Sequence, residues 1–252
     1  MTALLPLQGR RIVVTRQPDQ AEIVCARLAE LGAVPLRFPT IDFAAVRDSD
    51  VDRALDALET YDWVIMTSAN AVRFFLDLLG HGEAGAEGVR FAATGSKTAA
   101  ELAHAGLQVA FVPQEFSGAV LAATLPDVAG ARILIPRTAQ GRRDLVDGLA
   151  ARGARVDDVA IYRTAIAQPS AAEYAALVEG VDALTFTSPL TVENFARLVA
   201  HLSVHGAVVA CIGPSTAEAA ARAGYMPDVV AEEYTIDGLI EGLVAHFAGV
   251  SQ

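Results

Sequence analysis

A chain of 252 residues that is 53% hydrophobic and 19% charged can bury one large core or two modest ones, and two domains is the better expectation at this length. Its formal charge of −11 at pH 7 argues against non-specific binding to nucleic acid or to an anionic membrane, because both need a basic surface. No window approaches ~18 apolar residues without a charge, and residues 1–11 lack a basic region followed by an apolar core, so no membrane span is expected and the cytoplasm is the expected compartment.

The first unit begins with the β-prone run Arg11-Ile12-Val13-Val14-Thr15-Arg16. It continues through a helix predicted over 21–31, stopped by Gly32, to an extended run over 34–39. The second unit is Tyr61-Asp62-Trp63-Val64-Ile65-Met66-Thr67-Ser68-Ala69-Asn70-Ala71-Val72. Its apolar residues read as a buried strand that passes through Thr-Ser into a helix carried by Val72, Phe75, Leu76 and Leu79. The third has a strand over 91–93, then Gly95-Ser96-Lys97-Thr98 and a helix closed by Ala105-Gly106. A fourth segment, 109–125, ends in an amphipathic helix.

The pattern then returns. Residues 132–137 match 11–16 at an offset of 121, and Leu28, Ala29 and Gly32 recur as Leu149, Ala150 and Gly153. Val181-Asp182-Ala183-Leu184-Thr185-Phe186-Thr187-Ser188-Pro189 matches the second unit at an offset of 120. Residues 208–218 match the third at 118, and 229–247 stand for the fourth. Strand and helix periods alternate throughout, which implies right-handed βαβ crossovers and parallel sheets. A repeat of ~120 residues is the size of a domain and too long for a solenoid. The expected fold is therefore α/β: two flavodoxin-like domains, each a parallel sheet flanked by helices. Segments 40–46 and 159–167 read as extended and, if paired antiparallel, would make a two-stranded β-ladder hinge between the domains.

Turns after the strands at 64–66, 91–93, 184–186 and 208–211 gather Ser68, Asn70, Ser96, Lys97, Ser188, Ser215 and Thr216 at carboxyl edges, where open α/β sheets bind ligands. A helix start stabilises a carboxylate or phosphate by ~0.3–1 kcal/mol, so several together would suit a polyanion. Arg16 and Arg137, each at the end of a strand, would be bidentate partners for carboxylates. The plainer reading is also open. Thr98-x-x-Glu101 and Ser215-x-x-Glu218 have capping-box spacing, and either arginine could be an ordinary surface residue. Gly95-Ser96-Lys97-Thr98 is not a P-loop, because Ser96 stands directly before the lysine where that pattern needs glycine. There is no G-x-S-x-G elbow and no dinucleotide fingerprint. Cys25 and Cys211 sit among apolar neighbours, no histidine lies beside a Cys or an acidic pair, and no metal is expected. Asp62 and Asp182, just ahead of strands, read as structural.

In this order the motifs Val-Val-Thr-Arg (13–16), the run 61–72, Ala-Thr-Gly-Ser-Lys-Thr-Ala (93–99), Ile-Pro-Arg (135–137), Tyr-Arg-Thr (162–164), Phe-Thr-Ser-Pro (186–189) and Ile-Gly-Pro-Ser-Thr-Ala (212–217) resemble the uroporphyrinogen-III synthase family. The resemblance runs from Ile12 to about Phe247; Met66 stands where that family more often has Phe. It implies a discontinuous layout in which 1–38 folds with 168–252 and 39–167 forms the inserted domain. It also implies a cofactor-free reaction: linear hydroxymethylbilane loses water, its terminal pyrrole (ring D) is inverted, and the macrocycle closes. By the same resemblance Tyr162 would assist departure of the hydroxyl. Arg16, Ser68, Ala69, Asn70, Gly95, Ser96, Lys97, Arg137, Ser188, Pro189, Gly213, Ser215 and Thr216 would bind the substrate, with the protein acting as a monomer. Two other readings share the two-domain α/β plan: a ligand-binding or sensor protein without turnover, and a sugar-nucleotide transferase.

Overall fold

The computed structural model describes residues 5–80, 88–141, 143–202, 204 and 206–250. In its first half the apolar runs form β1 (Arg11–Val14), α1 (Pro18–Glu30), β2 (Val34–Arg37), β3 (Ile41–Ala45), α2 (Ser49–Asp56), β4 (Trp63–Met66), α3 (Ala69–Leu79), β5 (Arg90–Ala93), α4 (Ser96–His104), β6 (Val109–Phe111) and α5 (Gly118–Thr124). The second half gives β7 (Arg132–Thr138), α6 (Asp144–Ala151), β8 (Arg155–Ile166), α7 (Ala171–Val178), β9 (Ala183–Phe186), α8 (Pro189–Leu198), β10 (Val208–Cys211), α9 (Pro214–Arg222), β11 (Val229–Val230) and α10 (Ile236–Val250).

The chain divides into two compact units, Met1–Asp42 with Ala165–Gln252, and Phe43–Thr164. In the first, the strands lie in the order β2-β1-β9-β10-β11, all parallel. In the second the parallel order is β8-β7-β4-β5-β6, with β3 added beside β8. Numbered within its own unit, the first sheet reads 2-1-3-4-5, the flavodoxin order; the second reads 5-4-1-2-3, which is the same arrangement circularly permuted, with β7 and β8 in the places of strands 1 and 2. Beside β8, Val46 N–H donates to Ile161 O and Ala167 N–H donates to Thr40 O. Residue numbers rise on one strand as they fall on the other, so the two run antiparallel.

The repeat and the units do not coincide. Strands β1 and β2, from the first copy, pair with β9 to β11 from the second, while β7 and β8 pair with β4 to β6. The cause is local. At an offset of 121, β8 is the counterpart of β2 and β3 together, yet it runs unbroken through Ala160 where the first copy has Pro39. Proline has no N–H for a ladder and a fixed φ. The first copy therefore stops after Arg37 and resumes at Ile41 in a different sheet.

Alternation along the strands feeds two cores per sheet. Ile12 and Val14 pack with α1 and α10 on one face, and Val13 packs with Leu184, Phe186 and Phe195 on the other. In the second unit Val64 and Met66 face one cluster, Trp63 and Ile65 the other. Each fully buried side chain of this kind is worth roughly 1.5–3 kcal/mol. Helix ends repeat as well. After α1 and α6, Gly32 and Gly153 take φ +87° and +88°, and the N–H groups of Ala33 and Ala154 reach back to Leu28 O and Leu149 O. These are Schellman stops that a Cβ would strain.

The aspartates ahead of the strands are structural. Asp62 N–H donates to Arg132 O while its carboxylate accepts from Arg132 N–H at 2.8 Å; Asp182 does the same with Arg11, and Asp228 with Val209. Each carboxylate fastens the start of a neighbouring strand, at the amino edge of its sheet and away from the carboxyl-edge loops.

Candidate active site

In a sheet of order 2-1-3-4-5 the crossovers leave to opposite faces between strands 1 and 3, so ligands meet the carboxyl ends there. In the first unit that point lies between β1 and β9, whose ends carry Arg16 and Ser188. In the second it lies between β7 and β4, with Arg137 and Ser68.

Ser68 leaves β4 in extended conformation and caps α3, its hydroxyl accepting from Ala71 N–H at 3.0 Å. That hydroxyl also stands 3.0 Å from the hydroxyl of Tyr162. The Tyr162 ring, 4% exposed, stacks on Phe74 with centroids 4.9 Å apart and meets Phe43 edge to face. Ala69 and Asn70 form the first turn of α3, where Asn70 Oδ1 accepts from Arg73. In the other unit Ser188 caps α8 reciprocally with Thr191, and Pro189 opens the helix. Proline suits that first position, where no N–H is needed.

The third loop of each unit differs from the capping-box expectation. Helix α4 starts at Ser96 with Gly95 as its cap, and α9 starts at Pro214 with Gly213 as its cap; neither has a side-chain cap. Thr98 and Ser215 are thus inside the first turn, and neither helix start has a side-chain oxygen from its cap residue on its backbone N–H groups, of which α9 lacks the first because it opens on Pro214. Ser96, Lys97 and Ser215 are exposed, while Thr98 and Thr216 turn inward at 5% and 1% exposure. A direct substrate contact from the Thr216 side chain therefore does not fit its position. Reciprocal Ser-x-x-Glu capping occurs instead at Ser170 and Glu173.

The two arginines part company. Arg137 is bound by a residue that motif reading passes over: Asp158 on β8 accepts from its Nε at 2.5 Å and from Nη2 at 2.7 Å. The side chains are only 9% and 18% exposed, and the hydrogen bond to Asp158 raises the arginine pKa further. The fork expected to hold a substrate carboxylate is thus already filled by a carboxylate of the protein. Gly141 makes room for it, since a Cβ there would collide with Arg137 Nη1. An aspartate inside a strand is the signal that marks this pair, because Asp is depleted from strand interiors. Arg16 is less committed. Its Nη2 donates to Gln20, its Nε is buried without a hydrogen-bond partner, and burial lowers its pKa.

At the carboxyl ends of β4, β5 and β7 a depression of about 490 Å³ is lined by Thr67, Thr94, Phe116, Ser117, Arg137 and Asp144, among others. Thr94 Oγ1 donates to Thr67 O, tying two of these loops together. Its volume falls in the range of small-molecule sites, ~300–1,000 Å³. Among the described residues no group of three or more His, Cys, Asp or Glu is placed to hold a metal. His201 and His205 are four residues apart, but His205, like His81, lies outside the described residues.

A family model described as Uroporphyrinogen-III synthase HemD matches residues 24–241. The uroporphyrinogen-III synthase of Synechococcus elongatus is 32% identical over 249 residues, covering 93% of this chain and 94% of that protein. The porphyrin biosynthesis protein HemD of Ruminiclostridium josui is 31% identical over 95% of this chain, which spans about half (49%) of that longer protein. Among solved structures, uroporphyrinogen-III synthetase from Helicobacter pylori superposes with a TM-score of 0.59 over 95% of this chain and 100% of that one, at 17% identity, a likeness of fold.

Proposed function

The chain belongs to the uroporphyrinogen-III synthase family, and from that premise we propose that it closes linear hydroxymethylbilane, with inversion of ring D and loss of water, to uroporphyrinogen III. The match over residues 24–241 carries this reading, because it takes in the loops after β4, β5, β7, β9 and β10 in both units. The enzyme is a cyclising lyase of tetrapyrrole synthesis. The reaction is neither an oxidation nor a reduction: the C–O bond of the hydroxymethyl group, the C–C bond that joins ring D to the chain and one α C–H bond of ring D break, two C–C bonds form at the α carbons of ring D, and the hydroxyl and the proton leave as water.

What the residues do is the second part of the proposal. Helix starts at Ser68–Asn70, Gly95–Lys97 and Gly213–Ser215 supply N–H groups and hydroxyls to substrate carboxylates, and the Ser188 hydroxyl adds a donor beside Pro189. Arg16 adds a cation, and Arg137 tightens its loop through Asp158. Binding of this kind holds a flexible linear chain in one shape, which is where most of the rate and the isomer choice arise. Tyr162 assists the leaving hydroxyl. If Ser68, already accepting from Ala71, donates its own proton to the phenol oxygen, the phenol proton is free for the departing group. A neutral phenol does this without offering a strong nucleophile that would trap the cation left behind.

No helix among the described residues is long and apolar enough to cross a membrane. The proposal is of a monomer acting in the cytoplasm on a small polycarboxylate. The test is to supply hydroxymethylbilane and measure type III against type I product after oxidation. A mixture no richer in type III than the uncatalysed closure would refute it.

A further inference from the structure

Among the described residues, aromatic rings are kept out of water almost everywhere. Trp63, Phe38, Phe75, Phe186 and Phe195 are 0–1% exposed, and just two large aromatics are more than a third exposed: Phe116 at 64% and Tyr234 at 67%. These two are each other's counterpart. They lie 118 residues apart, the offset that relates Gly95 to Gly213, within Glu115-Phe116-Ser117 and Glu233-Tyr234-Thr235. Their surroundings match as well. A Cβ on Gly95 would lie 3.4 Å from Phe116 Cβ and Cγ, and one on Gly213 would lie 3.2 Å from Tyr234 Cδ1. Each ring is thus laid against the glycine that opens the third helix of its unit, and a side chain at that glycine would press on it.

Local structure does not account for the exposure. Ser117 caps α5, accepting from Val120 N–H, and Thr235 accepts from Gly238 N–H at the start of α10, so each aromatic precedes a cap. A residue there can staple onto the fourth helical position. Those positions, Leu121 and Leu239, are 0% and 1% exposed within their cores, while the rings stay about two-thirds in water. A staple would bury the ring. Phe116 instead lines the depression that also holds Thr67, Thr94 and Arg137.

We propose that Phe116 and Tyr234 are substrate-positioning residues whose exposed ring faces each receive the flat face of a pyrrole, leaving that pyrrole's carboxylate arms to the neighbouring helix start. The inference rests on the function proposed above. Pyrroles are flat and electron-rich, and offset stacking on an aromatic ring is the contact such a surface offers. A ring face beside a helix start thus answers both parts of one substituted pyrrole, its apolar plane and its anionic arms.

The experiment compares Phe116→Ala and Tyr234→Ala with the ring-keeping Phe116→Tyr and Tyr234→Phe, and with Met226→Ala and Val178→Ala, which remove side chains from residues 71% and 68% exposed elsewhere. Each is assayed with hydroxymethylbilane, titrated with the oxidised product uroporphyrin III by its fluorescence, and melted. The alanine variants are expected to raise KM and the uroporphyrin Kd by roughly 5- to 10-fold, with kcat within twofold and Tm unchanged. The ring-keeping variants and the two controls should match wild type. Alanine variants with wild-type KM and Kd overturn the inference, and a lowered Tm with both constants unchanged identifies a staple instead. Absence of type III product from the wild-type protein refutes the functional reading, and the uroporphyrin titration then decides this one separately.

Discussion

The hydroxyls of Ser68 and Tyr162 stand 3.0 Å apart, joining the cap of α3 to a residue on β8 from the other half of the sequence. Tyr162→Phe keeps the ring stacked on Phe74 and deletes one hydrogen bond, so the folded state should lose less than ~1.5 kcal/mol. If the phenol assists departure of the leaving hydroxyl, kcat falls on the order of 10²-fold with the product still mostly type III. Steady-state kinetics and a melting curve check both parts. Unchanged kcat removes the proton-donor role, and a Tm lowered by many degrees assigns Tyr162 to packing.

Arg16 and Arg137 are expected to fail differently when shortened. Arg137→Ala leaves the Asp158 carboxylate, only 18% exposed, with the exposed Arg143 at 3.6 Å as its remaining cation, and the loss of the fork should cost on the order of 1–3 kcal/mol. The double variant Arg137→Met with Asp158→Leu should recover much of that stability. Arg16→Ala removes a side chain with one hydrogen bond, to Gln20, and should raise KM with little change in kcat or Tm. Equal Tm for the two single variants would contradict the distinction.

Dividing the chain after Val128 separates β1 from β9 and β4 from β7. Neither half then keeps its native sheet, and strand edges that are covered in the whole protein are left bare. Separately produced halves should not unfold cooperatively as monomers, whereas mixing them should restore a cooperative transition. Two halves that each melt cooperatively alone would show that the repeats can form unexchanged sheets, contrary to this expectation.

Alkaline stability carries a sign that follows from two buried acids. Burial first, and then the Asp157 carboxylate that accepts its proton at 2.6 Å, push the Tyr61 phenol up to about 12; burial pushes the Cys211 thiol up to about 11. Tyr225 is raised by burial in the same direction. The unfolded chain releases these protons nearer the ordinary values of 10 and 9. Above those values the native state holds more protons than the unfolded one, so stability falls as pH rises. Their contribution is intact below pH 9 and should be lost between about pH 9 and pH 12. In denaturant titrations at stepped pH, Tyr61→Phe should flatten the upper part of that fall and Cys211→Ala the lower part. A slope unchanged in both variants would refute the assignment.

The strands and the helix-start loops were legible in the sequence because buried parallel strands are short apolar runs and their turns carry Thr-Ser or Gly. The exchange of β1 and β2 between the repeats was not, since pairing partners leave no periodic trace; only the resemblance to a family suggested a discontinuous layout. Pro39 against Ala160 is the one residue-level sign of it. The helix caps at Gly95 and Gly213 were misplaced because Thr98 and Ser215 satisfy a spacing rule that two glycines ahead of them pre-empt. Arg137 looked free because its partner, Asp158, sits on a different strand 21 residues on. Phe116 and Tyr234 recur at the offset of 118 within Glu-aromatic-Ser/Thr, but it is their exposure that marks them as more than a repeated helix start.

The second unit is one unbroken stretch, Phe43–Thr164, whereas the first closes only when β9 arrives at Ala183–Phe186. On the ribosome, then, β1 and β2 emerge well before β9, the strand that covers the free edge of β1. With synthesis at ~5–20 residues per second, the wait across roughly 145 residues lasts on the order of 10–30 s. The apolar Ile12-Val13-Val14 edge is unpartnered for all of it, while the later-made sheet has already closed. Arg10 stands directly ahead of that strand and Arg11 opens it. Charges so placed discourage an idle strand from pairing with the wrong neighbour. The same two residues later bond to Asp182, one through its guanidinium and one through its backbone N–H, when the awaited strand docks.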